Sequence, residues 1–237
     1  LAFSTLLSCK KPADRSCFKS VGSETTKEIS LASFEKLALK EHVRYVLIQD
    51  SLDKVVLKGG KNLLNLIETT VSDHVLEIKN KNRCNFLRSY KKVVTAEIHF
   101  TKLVNINFVG TEPLTSIGTI KTDYFAFYSR DGAGDVVLDL DAQFINAEAD
   151  HGWCNYTFTG KTKAARISVK SNSYCDVAGL LVSDSIFVAS ESEGDIKINA
   201  NQIPIKGYIK ENGNVYYKGT PSSIDVYITG KGQVLAE

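Results

Sequence analysis

Five triplets recur at nearly constant spacing in the second half of the chain: Gly134-Asp135-Val136, Cys154-Asn155-Tyr156, Cys175-Asp176-Val177, Gly194-Asp195-Ile196 and Gly213-Asn214-Val215. Successive starts lie 20, 21, 19 and 19 residues apart. Each triplet is a small residue, then Asp or Asn, then a strand former. Asp and Asn close turns through side-chain to backbone hydrogen bonds, and Gly tolerates positive φ. Gly134, Asp135, Gly194, Asp195, Gly213 and Asn214 are therefore read as structural turns, and the third position of each triplet as a strand start.

Strands of period two fill the intervals. Val136, Leu138 and Leu140 alternate with Val137, Asp139 and Asp141. Ala165, Ile167 and Val169 alternate with Arg166, Ser168 and Lys170, and Ile224, Val226 and Ile228 with Asp225, Tyr227 and Thr229. One face is apolar and the other wet. Corners at a near-constant period imply coils that close over one another and share a continuous core. The expected fold is all-β, a right-handed parallel β-helix of roughly 20-residue coils. An antiparallel sandwich is the second reading, since it shows the alternation but does not need the period.

The first half is also strand-rich, with Val43-Arg44-Tyr45-Val46-Leu47-Ile48, Lys54-Val55-Val56-Leu57, Val75-Leu76-Glu77-Ile78 and Ala96-Glu97-Ile98-His99-Phe100. One helical turn is expected after Gly59-Gly60, and long amphipathic helices are absent. Upstream, Leu6-Leu7-Ser8-Cys9 resembles a bacterial lipobox, in which the cysteine becomes a lipidated N-terminus. The chain has no methionine, even at position 1, and is expected to begin inside a longer gene product. Residues 1–8 are read as a signal peptide remnant, 9–27 as a lipid-tethered polar spacer and 28–237 as a single β-helix domain.

With Cys9 assigned to lipidation, Cys17, Cys84, Cys154 and Cys175 remain in an oxidising compartment where disulfides persist. Four cysteines allow three pairings. Cys154 and Cys175 occupy equivalent places in the repeat, so a stack places them one coil apart, about 4.8 Å. A disulfide between them is expected, with Cys17 and Cys84 paired or free.

These residues resemble a known family, the bacterial auto-transporter adhesins with a head GIN domain. The closing stretch carries the resemblance best: Asn212-Gly213-Asn214-Val215-Tyr216-Tyr217-Lys218-Gly219-Thr220-Pro221, then Ser223 to Gly232 as final strand and glycine turn. Phe34-Glu35-Lys36-Leu37, Gly60-Lys61-Asn62-Leu63-Leu64 and Val75-Leu76-Glu77-Ile78 follow the family's order, so the likeness spans roughly residues 28–237. Cysteine stands in place of the turn glycine at Cys154 and Cys175. The resemblance implies an exported β-helix, similar in shape to pectate-lyase-like proteins but without their catalytic residues, and a role in adhesion.

The chemistry of the remaining motifs is sparse. Asp150-His151 beside Trp153 admits an acid/base pair near a sugar-stacking ring. The stronger reading is a loop between coils that hydrogen-bonds locally and buries one large aromatic. His42, His74 and His99 are scattered among strand-like runs, with neither a metal cluster nor a triad. Glu191, Glu193 and Asp195 fall on one side of a turn, where solvent is expected to satisfy them, not across a cleft as a glycosidase requires. Asp131-Gly132-Ala133-Gly134-Asp135 lacks the nonapeptide period of calcium-binding glycine repeats and reads as a turn. Gly59-Gly60 and Gly230-Lys231-Gly232 lack the strand-then-helix setting of a phosphate loop. Lys161, Lys163, Arg166 and Lys170 form the densest basic cluster, read as a solvated strand face; a net charge of +2 offers no pull on nucleic acid. No cofactor or metal is expected. Two functions follow: an envelope-tethered binding or adhesion module contacting an extracellular glycan or protein, or a polysaccharide lyase or hydrolase on the same scaffold.

Overall fold

The computed structural model describes residues 20–40, 42–82 and 92–237. It is a β-solenoid of about 7 turns with mostly parallel strands. Its middle is built from three long strands that follow the coil around its bends, β11 (Val136–Asp150), β12 (Tyr156–Ser171) and β13 (Cys175–Ser192). β10 (Ile120–Arg130) lies below them. In β11, Val136, Leu138, Leu140 and Ala142 are buried, and then Ile145, Ala147 and Ala149. The two consecutive exposed residues between these sets, Gln143 and Phe144, move the inward positions from even to odd and bend the coil. A short third side runs through Ile120, Leu140, Gly160 and Leu180, paired in parallel.

Aromatic side chains fill the wide part of the core. Phe127 sits 5.6 Å from Tyr156 and 5.8 Å from Phe158, ring centre to ring centre. Phe125 packs edge-on to Phe158 at 6.2 Å. Burying each such ring stabilises the fold by about 1.5–3 kcal/mol. The Tyr156 hydroxyl donates to the Ser168 carbonyl, which satisfies the one polar atom it carries into the core. Further along the chain the coils shorten into two-strand turns: β14 (Ile196–Asn199) and β15 (Pro204–Ile209), β16 (Val215–Lys218) and β17 (Ser223–Ile228), then β18 (Val234–Ala236). Their interior narrows to isoleucine and valine.

The first half departs from sequential stacking. β2 (Lys36–Leu39) and β3 (Val43–Gln49) form one coil, β6 (Val75–Asn80) and β7 (Val94–Phe100) a second, β8 (Asn105–Phe108) and β9 (Leu114–Ile117) a third. The first of these lies between the other two, because β2 pairs with both β6 and β8, and β3 with both β7 and β9. The link 101–104 steps past the intervening coil, with the Val104 amide donating to the Glu35 carbonyl. Two coil spacings are about 9.6 Å, within reach of four extended residues.

Antiparallel strands close this end. β4 (Lys54–Gly60) pairs with β7 and with β1 (Glu24–Ser30), and β5 (Ile67–Ser72) pairs with β6 through a tight turn. Asp73 and His74 both have positive φ, 49° and 58°, the geometry of the two-residue hairpin turns that match strand twist. The single helical turn α1 (Lys61–Leu64) buries Leu63 and Leu64 over the core. β1 also corrects the boundary read from sequence, since residues 24–27 of the expected spacer are strand. Their polar side chains stay in solvent while their backbone pairs with β4, which composition does not reveal.

A candidate binding face on the outside of the stack

Parallel in-register stacking turns sequence spacing into rows along the solenoid. On the outer face of β10 to β17, one row reads Ala126, Asn146, Arg166, Phe187, Lys206, Asp225. The next reads Tyr128, Glu148, Ser168, Ala189, Tyr208, Tyr227. Ala126, Ser168 and Ala189 are buried among their larger neighbours. Tyr124 and Phe144 stand at the edge of this face, stacked at 5.8 Å with an 11° interplanar angle, and both are exposed. The Arg166 guanidinium lies 4.6 Å above the Phe187 ring, which meets Tyr208 edge-on at 6.2 Å. Asn146 Nδ2 donates to the Tyr128 hydroxyl at 2.6 Å.

Lys170 and Lys210 pair with carboxylates between coils on this face. Lys170 Nζ lies 2.8 Å from Glu148 Oε1 and 3.9 Å from Asp150 Oδ2. Glu191 Oε1 accepts from the Tyr208 hydroxyl at 2.8 Å and from Lys210 Nζ at 3.2 Å. The Tyr208 hydrogen bond, with Lys210 behind it, holds the Glu191 carboxyl below its ordinary range. Glu148 holds the Lys170 ammonium above its own. Both directions lead away from the near-neutral values that general acid and base catalysis needs.

The carboxylates at the corner find partners in the protein, not only in solvent as the sequence suggests. Glu193 accepts from Asn212 Nδ2 at 2.8 and 3.0 Å, and Asp195 Oδ1 from the Asn214 amide at 2.8 Å. With Lys210 on Glu191, each partner lies 19 residues on, one coil away. The same device repeats where Asn214 Oδ1 accepts from the Gln233 amide and Asn155 Oδ1 from the Tyr174 amide. Asp135 Oδ1 accepts from Asn155 Nδ2 at 3.4 Å. Gly134, Gly194 and Gly213 stand at these corners for a different reason from the one expected. Positive φ does not occur at them; a Cβ there would collide with the carbonyls of Glu112, Ser173 and Gly194 respectively.

The Asp150–His151 pair forms where β11 ends, with His151 at φ 49° and its Nδ1 on Asp150 Oδ1. With Lys170, Ser171, Glu191, Glu193 and Glu211 it rims a shallow open recess. Trp153 is not buried as expected but 66% exposed, and Tyr174 on the following coil is 44% exposed. The rings project because the corner already packs Cys154 inward. His42 and His74 occupy positive-φ turns, and His99 Nδ1 lies 2.9 Å from Asp50. Among the described residues, no group of three or more His, Cys, Asp or Glu could hold a metal ion.

The expected Cys154–Cys175 disulfide is absent: both thiols are free and buried. The register explains it. Cys175 pairs with Tyr156 and Ile196 as the first inward strand residue, two positions beyond the corner that Cys154 occupies. One coil up and two residues along is about 8 Å between Cα atoms, beyond the reach of a bridge. Burial raises the Cys154 thiol to about 11 and the Cys175 thiol to about 12, so neither is a nucleophile near neutral pH. Cys9, Cys17 and Cys84 lie outside the described residues.

Residues 33–221 match the family described as putative auto-transporter adhesin, head GIN domain. The chain belongs to this family. Three solved structures share the head GIN chain's fold. A putative adhesin from Bacteroides fragilis NCTC 9343 is 21% identical with a TM-score of 0.84, covering 92% of this chain and 100% of that one. A putative adhesin from Parabacteroides distasonis ATCC 8503 is 22% identical with a TM-score of 0.64, covering 92% and 99%. A putative lipid binding protein from the same organism is 17% identical with a TM-score of 0.67, covering 92% and 100%. No curated protein matches the chain. Among the described residues, no helix is long and apolar enough to cross a membrane.

Proposed function

We propose that the chain is a non-catalytic binding module of the bacterial cell envelope, tethered through a lipid on Cys9, whose outer β10–β17 face contacts an extracellular glycan or protein. The observation that carries this reading is the face itself, aromatic-edged by Tyr124, Phe144 and Tyr227, with Lys170–Glu148 and Lys210–Glu191 paired across its coils. Exposed rings offer stacking surface, and the Asn146, Arg166 and Lys206 side chains beside them offer hydrogen bonds. Membership of an adhesin family supports an extracellular role, and Leu6-Leu7-Ser8-Cys9 supports the tether.

The test displays full-length protein on cells and measures retention of a glycan panel and of host surface protein. The triple change Tyr124→Ala, Phe144→Ala, Tyr227→Ala should reduce retention at least tenfold with far-ultraviolet dichroism unchanged. Cys9→Ala should release the protein from the detergent phase. Retention that survives the triple change removes this face from the reading. Cleavage of any polysaccharide on the panel would replace the binding module with an enzyme.

A further inference from the structure

The two ends of the solenoid are finished differently. One is covered by α1 and by the antiparallel β1, β4 and β5, and its edge strand β1 (Glu-Thr-Thr-Lys-Glu-Ile-Ser) is charged and polar. Such residues are how proteins keep sheet edges from pairing. At the other end β17 pairs only with β15, and β18 only with β16, among the described residues. Ile224 and Ile228 continue the inward rows of Ile205 and Ile209, which are fully buried, yet they are 46% and 44% exposed. Core positions here face solvent. Between Ser223 and Ile228 there is no lysine, no proline and no bulge to blunt the edge.

The sequence of this edge is its own complement. Centred on Val226, the run Ser223-Ile224-Asp225-Val226-Tyr227-Ile228-Thr229 sets Ile224 against Ile228, Asp225 against Tyr227 and Ser223 against Thr229 when two copies run antiparallel. The backbone agrees with that register. The Thr229 amide donates to the Ile209 carbonyl, so alternate residues 225 and 227 also face β15. Ile224, Val226 and Ile228 therefore turn both N–H and C=O outward. In an antiparallel pair these three form hydrogen-bonded partners, with Val226 on the axis opposite itself. β18 repeats the arrangement on the second sheet, where the Glu237 amide bonds back to Tyr217 and leaves Val234 and Ala236 facing outward.

We infer that a second copy of this chain docks on the open end, joining β17 to β17 and β18 to β18 about a two-fold axis through Val226. The contact is isologous, as closed homodimers require. β17, with six residues, is about 20 Å long and β18, with three, about 10 Å; on sheets about 10 Å apart, with their side chains, they cover on the order of 350 Å² per copy. The total over both copies lies below the roughly 1,000 Å² of a stable interface, so the dimer is weak and concentration-dependent. Joined this way, the outer faces of the two copies become one continuous surface.

Sedimentation and cysteine crosslinking test the inference on the full chain with Cys9, Cys17 and Cys84 changed to Ser. Val226→Cys should form a disulfide-linked dimer on mild oxidation, because hydrogen-bonded antiparallel partners sit about 5.5 Å apart. Ile224→Cys mixed with Ile228→Cys should give the crossed product. Leu52→Cys, more open to solvent but away from this end, should not. Val226→Lys opposes two charges on the axis and should weaken self-association a hundredfold or more. A chain that stays monomeric at every concentration, equal crosslinking at 52 and 226, or a Val226→Lys dimer as tight as the parent overturns the inference and leaves the end to another partner. If Val226→Lys fails to fold, the cysteine pairs still decide.

Discussion

Gly207 lies in β15 at φ +146°, and a Cβ there would strike the Val188 carbonyl of the coil below. Gly118 has φ +75°, but a Cβ would meet nothing within 4 Å. Both positions favour glycine, and only one also lacks room. Gly118→Ala should cost about 1 kcal/mol, from backbone strain alone. Gly207→Ala should cost about 3 kcal/mol or more, because the stacked backbone must move apart and break ladder hydrogen bonds. Urea unfolding of the two variants measures the difference, and equal losses would mean that close coil approach is not what selects glycine. The corner glycines at 134, 194 and 213 belong with Gly207: the tight approach of the neighbouring coil, not the turn, excludes a side chain there.

Strands in this fold act on one another through the coil period. A side chain meets its partner 19 to 22 residues away, as Glu191 meets Lys210 and Glu148 meets Lys170. Glu191 sits between two coils, and its folded pKa lies below the ordinary 4.5 because Tyr208 and Lys210 favour its charged form. The stabilisation it adds is complete above the unfolded pKa and is lost as pH falls through the lowered folded value. Glu191→Gln removes this contribution. The variant should be less stable than the parent at pH 7, and the gap should close as pH drops below about 4.5. Denaturant midpoints between pH 3 and 7 check it; a gap that persists unchanged at pH 3 would show that Glu191 acts through shape and not charge. None of these pairings is apparent along the chain, where Glu191, Glu193 and Asp195 look like neighbours competing for solvent.

At the scale of the whole molecule, each coil touches only the coils beside it, so stability is a sum of coils and their interfaces. α1 is the lid at one end, with Leu63 and Leu64 buried over the core. Leu64→Ala should cost about 2–5 kcal/mol. The loss should appear in hydrogen exchange as lowered protection in β1 to β7, with β14 to β18 opening as before. Uniform loss of protection across the chain would instead show a single cooperative unit.

The parallel coil, its period near twenty residues and the alternation of buried and exposed positions were legible in the amino-acid order. They arise from local rules, period two along a strand and small or Asx residues where the chain must turn. Which strand lies beside which was not so legible. β2 and β3 lie between coils that come later in the chain, and β1, β4 and β5 run antiparallel, because a strand joins whichever edge is free when the chain returns. Cys175 looks like a corner residue in the triplet spacing, yet pairing with Tyr156 draws it into the strand and away from Cys154. The proposed binding face depends on the same register: Tyr124, Phe144, Arg166, Phe187 and Tyr208 are scattered in sequence and neighbours only once the coils are stacked. Local alternation decides which way a side chain points; long-range backbone pairing decides what it points beside.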